Sequence, residues 1–273
     1  MRRYALALTF IGVALMPYLL TSGLPVAAAA DGALVAVGGG DTNEAIVART
    51  LELAGGRNAV VVVLPQSSAL PDAGDSSVET WKKAGARDVR KVSFDDRDAA
   101  RRAIESATLI WMPGGDQNRF MSAIARTGLD DLIRARHAAG VTIGGTSAGA
   151  AILSRVMLTG DADLKSVDAG STVTAPGLGL WSDVIVDQHF LKRQRESRLI
   201  SVVIDHPTLV GVGIDESTAV VVHDGSFDVI GKSSVVVVDP RGAKVETPSD
   251  TGHVAARDLK VSVLHAGMSY SLK

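Results

Sequence analysis

The chain of 273 residues contains no cysteine, so it can hold neither a disulfide, a thiolate nucleophile nor a cysteine metal site. Aromatic residues make up only 4% of it, and charge of either sign is nearly balanced, with 28 Lys and Arg against 30 Asp and Glu. A net charge of −2 excludes a nucleic-acid binder that works through gross positive charge. A hydrophobic share of 46% excludes a disordered chain. No Pro/Gly/Ser-rich linker, internal repeat or low-complexity tract divides the sequence, and no His/acid spacing of the His-Glu-x-x-His kind points to a metal. No cofactor is expected. What the chain does have is glycine, 28 residues of it, together with many Val and Ala. That balance suits α/β layers with tight turns close to a ligand.

The first thirty residues read as an address. Arg2 and Arg3 are followed by an almost wholly apolar run from Tyr4 to Leu20, and Val26 to Ala30 supplies small residues in an A-x-A pattern. This is the layout of a secretory signal peptide, with cleavage expected after Ala30. No other segment is long and apolar enough to span a membrane. Residues 31–273 are therefore expected to form an exported, soluble protein with a single catalytic domain.

From Ala33 onward, apolar strands alternate with helices. Ala33–Val37, Ala59–Leu64, Val89–Val92, Leu109–Met112 and Val141–Ile143 read as strands, most of them apolar throughout, as in strands buried on both faces. Helices are expected over Thr42–Ala54, Ser76–Ala84, Asp95–Ala107 and, broken near Gly128, Asp116–Ala139. The order implies a three-layer α/β fold: a mostly parallel sheet with helices on both faces. Further along, Ala150–Met157 reads as helix, Asp161 to Gly179 as loop, Val184–Val186 as strand and Lys192–Ile204 as a basic amphipathic helix. Closely spaced strand signals from Leu209 to Leu264 look like added antiparallel strands.

The chemistry sits in the turns. Gly145-Thr146-Ser147-Ala148-Gly149 is a G-x-S-x-G between a buried strand and an Ala-rich helix, the context of a nucleophile elbow. The Ser147 hydroxyl would stand off the sheet, and the Ala148 N–H would point to a developing oxyanion at the positive end of the helix. Met112-Pro113-Gly114-Gly115-Asp116-Gln117 is a second glycine turn, whose Gly114 or Gly115 N–H could complete an oxyanion hole while Asp116 caps the following helix. A serine needs a base. Among six histidines, His189 stands out in Asp187-Gln188-His189-Phe190, at the carboxyl end of an apolar strand where sites of open α/β sheets gather. Asp187, Asp215 and Glu216 are the carboxylate candidates. The last two are adjacent and in extended chain face opposite ways, so only one can serve, and composition does not choose between them. Gly38-Gly39-Gly40 lacks the spacing of a dinucleotide or phosphate loop. Arg193, Arg195 and Arg198 follow His189 closely. On a helix the last two would share a face, suited to a substrate carboxylate.

Taken together, these blocks resemble cyanophycinase and its relatives, the serine peptidases that include aspartyl dipeptidase. The similarity runs from about Val35 to Val222 through Pro113–Gln117, Gly144–Ala150, Gly177–Leu180, Asp187–Phe190, the three arginines and Gly213–Glu216. The resemblance implies a fold like that of class I glutamine amidotransferases and hydrolysis of β-linked aspartyl (Asp-Arg) peptide units. It implies Ser147 as nucleophile, His189 as base and Glu216 as the acid orienting it. It also implies a substrate pocket of Gln117, Asp187, Gln188, Arg193, Arg195 and Arg198, and a homodimer. The expected partner is a peptide, cyanophycin or another isoaspartyl peptide, with neither nucleic acid nor, after cleavage of the signal, membrane. Two other readings stay open: an esterase using Ser147 with His206 or His223, and an exported binding protein that holds an aspartyl-arginine ligand without cutting it.

Overall fold

The structure, a computed structural model, describes residues 31–162, 164–246 and 252–273. The expected signal segment, residues 1–30, lies outside the described residues. The first half of the chain lays down five parallel strands: β1 (Leu34–Val37), β2 (Val60–Val63), β3 (Asp88–Lys91), β4 (Leu109–Met112) and β5 (Thr142–Thr146). Between them run α1 (Glu44–Leu53), α2 (Asp75–Lys83), α3 (Arg97–Ser106), α4 (Gln117–Ile124) and α5 (Leu129–Ala138). The helices start where the sequence supplies caps. Asn43, Asp96 and Asp116 each accept a first-turn N–H, and Gly128 at φ 66° turns the chain from α4 into α5.

After β5 come the short α6 (Ala148–Ala151), β6 (Val156–Ala162), β7 (Thr172–Pro176), β8 (Val184–Gln188), α7 (Glu196–Asp205) and β9 (Val210–Ile214). The chain ends with β10 (Thr218–His223), β11 (Ser226–Gly231), β12 (Ser234–Asp239), β13 (Lys244–Glu246), β14 (Ala255–Arg257), β15 (Lys260–His265) and β16 (Ser269–Ser271). The large sheet has the order β16-β11-β10-β1-β5-β4-β2-β3, parallel from β1 to β3 and extended antiparallel by β10, β11 and β16. A second, four-stranded sheet has the order β15-β12-β9-β8, with only β8 and β9 parallel.

Alternate residues of each buried strand feed two cores. Val35 and Val37 join Ile46, Leu51 and Trp81 from α1 and α2, and Trp111 meets Trp81 edge to face with ring centres 5.0 Å apart. Leu34 and Ala36 join Ile104, Phe120 and Ile133 from α3, α4 and α5, so helices cover both faces of the large sheet. The same core takes the inner residues of the second sheet, Val186, Val212, Ile214 and Val237. The outer face of that sheet packs under α7 through Leu199, Val202 and Val203. Each such side chain contributes about 1.5–3 kcal/mol on burial.

Three local expectations are corrected. The helix expected over Ala150–Met157 stops at Ala151, because the carbonyls of Ile152, Leu153 and Ser154 accept the N–H groups of Leu178, Trp181 and Gly179. The chain then enters β6, and the expected loop of Asp161 to Gly179 contains β7, its antiparallel partner. The helix expected from Lys192 begins at Glu196. Residues 189–195 form a tight turn instead, with His189 at φ 49° and Gln194 at φ 52°, closed by Arg195 N–H donating to the Phe190 carbonyl.

Candidate active site

Register sets the site. Val37 pairs with Thr146 and Met112 with Gly145, so the ends of β1, β4 and β5 come level at one edge of the sheet. There β5 turns sharply into α6 at Ser147, held at φ 53° and ψ −114°. A non-glycine residue in such a conformation costs about 1–3 kcal/mol, so the surroundings must impose it. The Ser147 N–H donates to the Val37 carbonyl at 2.9 Å. A Cβ at Gly145 would strike the Gly149 backbone, and one at Gly149 would overlap the Met112 carbonyl. Both glycines of the G-x-S-x-G are therefore required by close backbone approach.

Ser147 Oγ lies 2.9 Å from His189 Nε2, and His189 Nδ1 lies 2.7 Å from Glu216 Oε1. A carboxylate can only accept, so Nδ1–H donates to Glu216 and Nε2 is left to accept the serine proton. His189 follows β8 and Glu216 follows β9, so parallel pairing of these strands sets the two side by side. The choice that composition left open is made by the opposite facing of neighbours. Asp215 accepts the Lys192 N–H at 2.9 Å and the Ser233 hydroxyl at 2.7 Å, away from the imidazole. Burial pushes the His189 pKa below the ordinary imidazole value, and the positive charges of Arg193 and Arg195 add to this against the opposing pull of Glu216. His189 is thus neutral at neutral pH, the form that can take a proton.

The first glycine triple has a part that its spacing did not reveal. The His189 N–H donates to the Gly38 carbonyl at 2.6 Å. A Cβ at Gly39 would overlap the imidazole ring, and one at Gly40 would press 3.0 Å from Glu216 Cβ. The triple leaves room for the base and its acid. A run of three glycines after a buried strand signalled that something approaches closely; what approaches comes from the far end of the chain.

Gly114 lies against the serine: a Cβ there would sit 3.3 Å from Ser147 Cβ. Among the described residues, the N–H groups of Gly114, Gly115 and Ala148 have no hydrogen-bond acceptor. Such donors can stabilise an oxyanion. With only four residues, α6 offers the Ala148 N–H rather than the macrodipole expected of a longer helix.

A cavity of about 680 Å³ opens beside Ser147, with Gln117, Gln188, Arg193 and Arg195 on its walls. Asp187 and Arg198 do not line it, a correction to the implied pocket. They are fully buried, 0% and 1% exposed, and grip each other through Arg198 Nε, which donates to Asp187 Oδ2 at 2.7 Å, and a second bond from its Nη2 to Oδ1. Arg195 stands just before α7 without capping it, and its Nη1 donates to the Gln188 carbonyl at 2.6 Å and reaches Asp187 at 3.5 Å. Burial, reinforced by the Arg198 charge, brings Arg195 down to about 10. Gln117 spends its amide N–H on the Leu158 carbonyl at 2.8 Å, tying the β6–β7 hairpin to α4. Sequence reasoning missed this hairpin wall.

His223, a base in the esterase reading, pairs with half-buried Asp228 at the far end of β10, where Val222 sits opposite Leu34 at the other edge of the sheet. His206 caps the C-terminus of α7. Neither joins Ser147. Among the described residues, no group of three or more His, Asp or Glu side chains is placed to hold a metal ion.

Comparison with known proteins assigns the chain to a family. The profile of Peptidase family S51 matches residues 33–230. A cyanophycinase of Geminocystis herdmanii (strain PCC 6308) is 37% identical over 243 residues, which are 84% of this chain and 88% of the relative. A cyanophycinase of Thermosynechococcus vestitus is 34% identical over 259 residues, 89% of this chain and 80% of the relative. Among solved structures, a peptidase from an acI-B1 Actinobacterium superposes with a TM-score of 0.64 at 22% identity, covering 89% of this chain and 98% of the other. That likeness concerns the fold.

Proposed function

The chain belongs to peptidase family S51, and we propose that it is an exported serine peptidase that hydrolyses β-aspartyl-arginine units of cyanophycin through an acyl-enzyme. The observation that carries the reading is the hydrogen-bonded chain from Ser147 through His189 to Glu216, with the imidazole held neutral. The relatives named cyanophycinase support the substrate class. The signal-like pattern of residues 1–30 supports export.

In this mechanism, Ser147 Oγ forms a bond to the carbonyl carbon of an aspartyl unit while its proton passes to His189 Nε2. Glu216 holds the imidazolium that results. Negative charge on the carbonyl oxygen is received by the N–H of Ala148 and of Gly114 or Gly115. The tetrahedral centre collapses, the C–N bond breaks, and His189 returns the proton to the leaving amine. Water, deprotonated by the same imidazole, then attacks the ester and frees Ser147. Arg193 and Arg195 hold a substrate carboxylate in the cavity.

The test is incubation of the protein with cyanophycin, beside Ser147→Ala, with release of β-aspartyl-arginine followed by mass spectrometry. Release by the parent and none by the variant is expected. Release at comparable rates by both would overturn the assignment of Ser147. No release by the parent would overturn the substrate.

A further inference from the structure

The cavity beside Ser147 has donors and acceptors that nothing among the described residues uses. Arg195, 8% exposed, has a buried Nε without an acceptor. Gln188, 6% exposed and on the same cavity, has a buried Oε1 without a donor. Leaving such groups unpaired costs about 1–3 kcal/mol each, so a ligand that pairs both recovers that cost. The β6–β7 hairpin forms one wall of the cavity, held to α4 where Gln117 donates to the Leu158 carbonyl and Asn118 to the Thr159 carbonyl at 3.2 Å. Just beyond these ties, Asp161 brings a carboxylate to the cavity wall.

The other carboxylates of this neighbourhood are committed. Asp187 is held by Arg198, Glu216 by His189, and Asp116 by the first N–H groups of α4. Among the described residues Asp161 has no ion-pair partner, and it is exposed. Arg193 and Arg195 supply the opposite charge to the same cavity, Arg198 being neutralised by Asp187 outside it. The cavity therefore presents both signs of charge. It also presents an acceptor, Gln188 Oε1, that calls for an N–H.

Resting on the peptidase reading above, we infer that the β6–β7 hairpin is the specificity wall of this site: Asp161, with Gln188, holds the cationic end of a zwitterionic substrate unit whose carboxylate lies on Arg193 and Arg195. A guanidinium suits this role, because its five donors can reach two separated acceptors at once. The hairpin thereby selects a cationic branch, while the elbow on the other side of the cavity carries out chemistry that is indifferent to it.

The test measures binding to the Ser147→Ala protein, so that turnover does not enter. Calorimetric titration compares β-aspartyl-arginine with β-aspartyl-citrulline, in which a neutral urea of the same shape replaces the guanidinium. The arginine dipeptide is expected to bind roughly tenfold more tightly, the range of one charge-assisted hydrogen bond. Adding Asp161→Asn should bring the two affinities together by weakening the arginine dipeptide alone, and Asp161→Glu should restore the difference. Adding Arg193→Gln should weaken both dipeptides alike. Equal affinities in the Ser147→Ala protein, a ratio that survives Asp161→Asn, or no binding of either dipeptide would overturn the inference. Hydrolysis of cyanophycin is measured separately on the unsubstituted protein, so a failure there is distinguishable from a failure here.

Discussion

Around Ser147 the backbone makes the site; across the cavity, at Arg195, side-chain charge makes it. The elbow side is built from strand ends and missing side chains. Gly39, Gly145 and Gly149 each stand where a Cβ would collide with the imidazole or with neighbouring backbone. The other side is built from a turn and a hairpin, fixed by the buried pair of Asp187 and Arg198 and by amide donors from α4. A backbone-built site tolerates almost no change of shape. A charge-built site tolerates change of shape but not loss of one partner. This division suits a constant chemistry with an adjustable choice of substrate.

The largest losses are expected at the centre of the elbow. Ser147→Ala should lower kcat by roughly 10⁶-fold while leaving the fold intact, read from turnover beside a thermal melt. Next, Gly39→Ala should cost about 100-fold or more in kcat, because its Cβ would displace the imidazole from the serine. Gly55→Ala is the control: its φ of 99° is similarly positive but a Cβ there meets nothing, so about 1–2 kcal/mol of stability and no activity should be lost. If Gly39→Ala behaves like Gly55→Ala, the account of the glycine triple is wrong.

On the charged side the losses should fall on stability and KM. Asp187→Asn leaves Arg198 buried without its counter-charge and should cost about 3–5 kcal/mol in denaturant unfolding, with KM raised as Arg195 loses its support. Unchanged stability would show that the pair is not what holds this wall. The smallest effect is on pH dependence. His189 acts in its neutral form, so kcat/KM should fall as pH drops through a midpoint below the ordinary imidazole value. The unfolded chain binds the proton more readily, so stability should also rise with pH across that window. Arg193→Gln removes one of the charges that depress this pKa, so the midpoint should move up. A midpoint that stays or moves down would mean that the arginine wall does not act on the base.

The same division explains what could be read from the sequence. Strands such as Val60–Val63 are apolar throughout, and α1, α3 and α4 carry their own caps, so the parallel half was legible from local pattern alone. The G-x-S-x-G was legible because its glycines and its strand–helix setting lie within a few residues. The part of Gly39 was not, since the imidazole it accommodates comes from a residue distant in the chain. The pairing of Glu216 rather than Asp215 with His189 was implied only by the family resemblance, because local pattern does not show how the chain leaves β9. The β6–β7 hairpin was misread because Ala150–Leu153 has strong helix propensity, and only the capture of carbonyls by residues 178–181 ends the helix. Arg195 and Arg198 were expected to act together from one face of a helix. The turn at 189–195 separates them, sending one to the cavity and the other to Asp187.

The claim that Ser147 forms an acyl-enzyme is tested most directly by stopping the reaction with cyanophycin in acid within the first turnovers and weighing the peptide that contains residue 147. A transient adduct of one or more whole β-aspartyl-arginine units is predicted on that peptide, absent in Ser147→Ala. Turnover of cyanophycin with no adduct, or with the adduct on another residue, would contradict it.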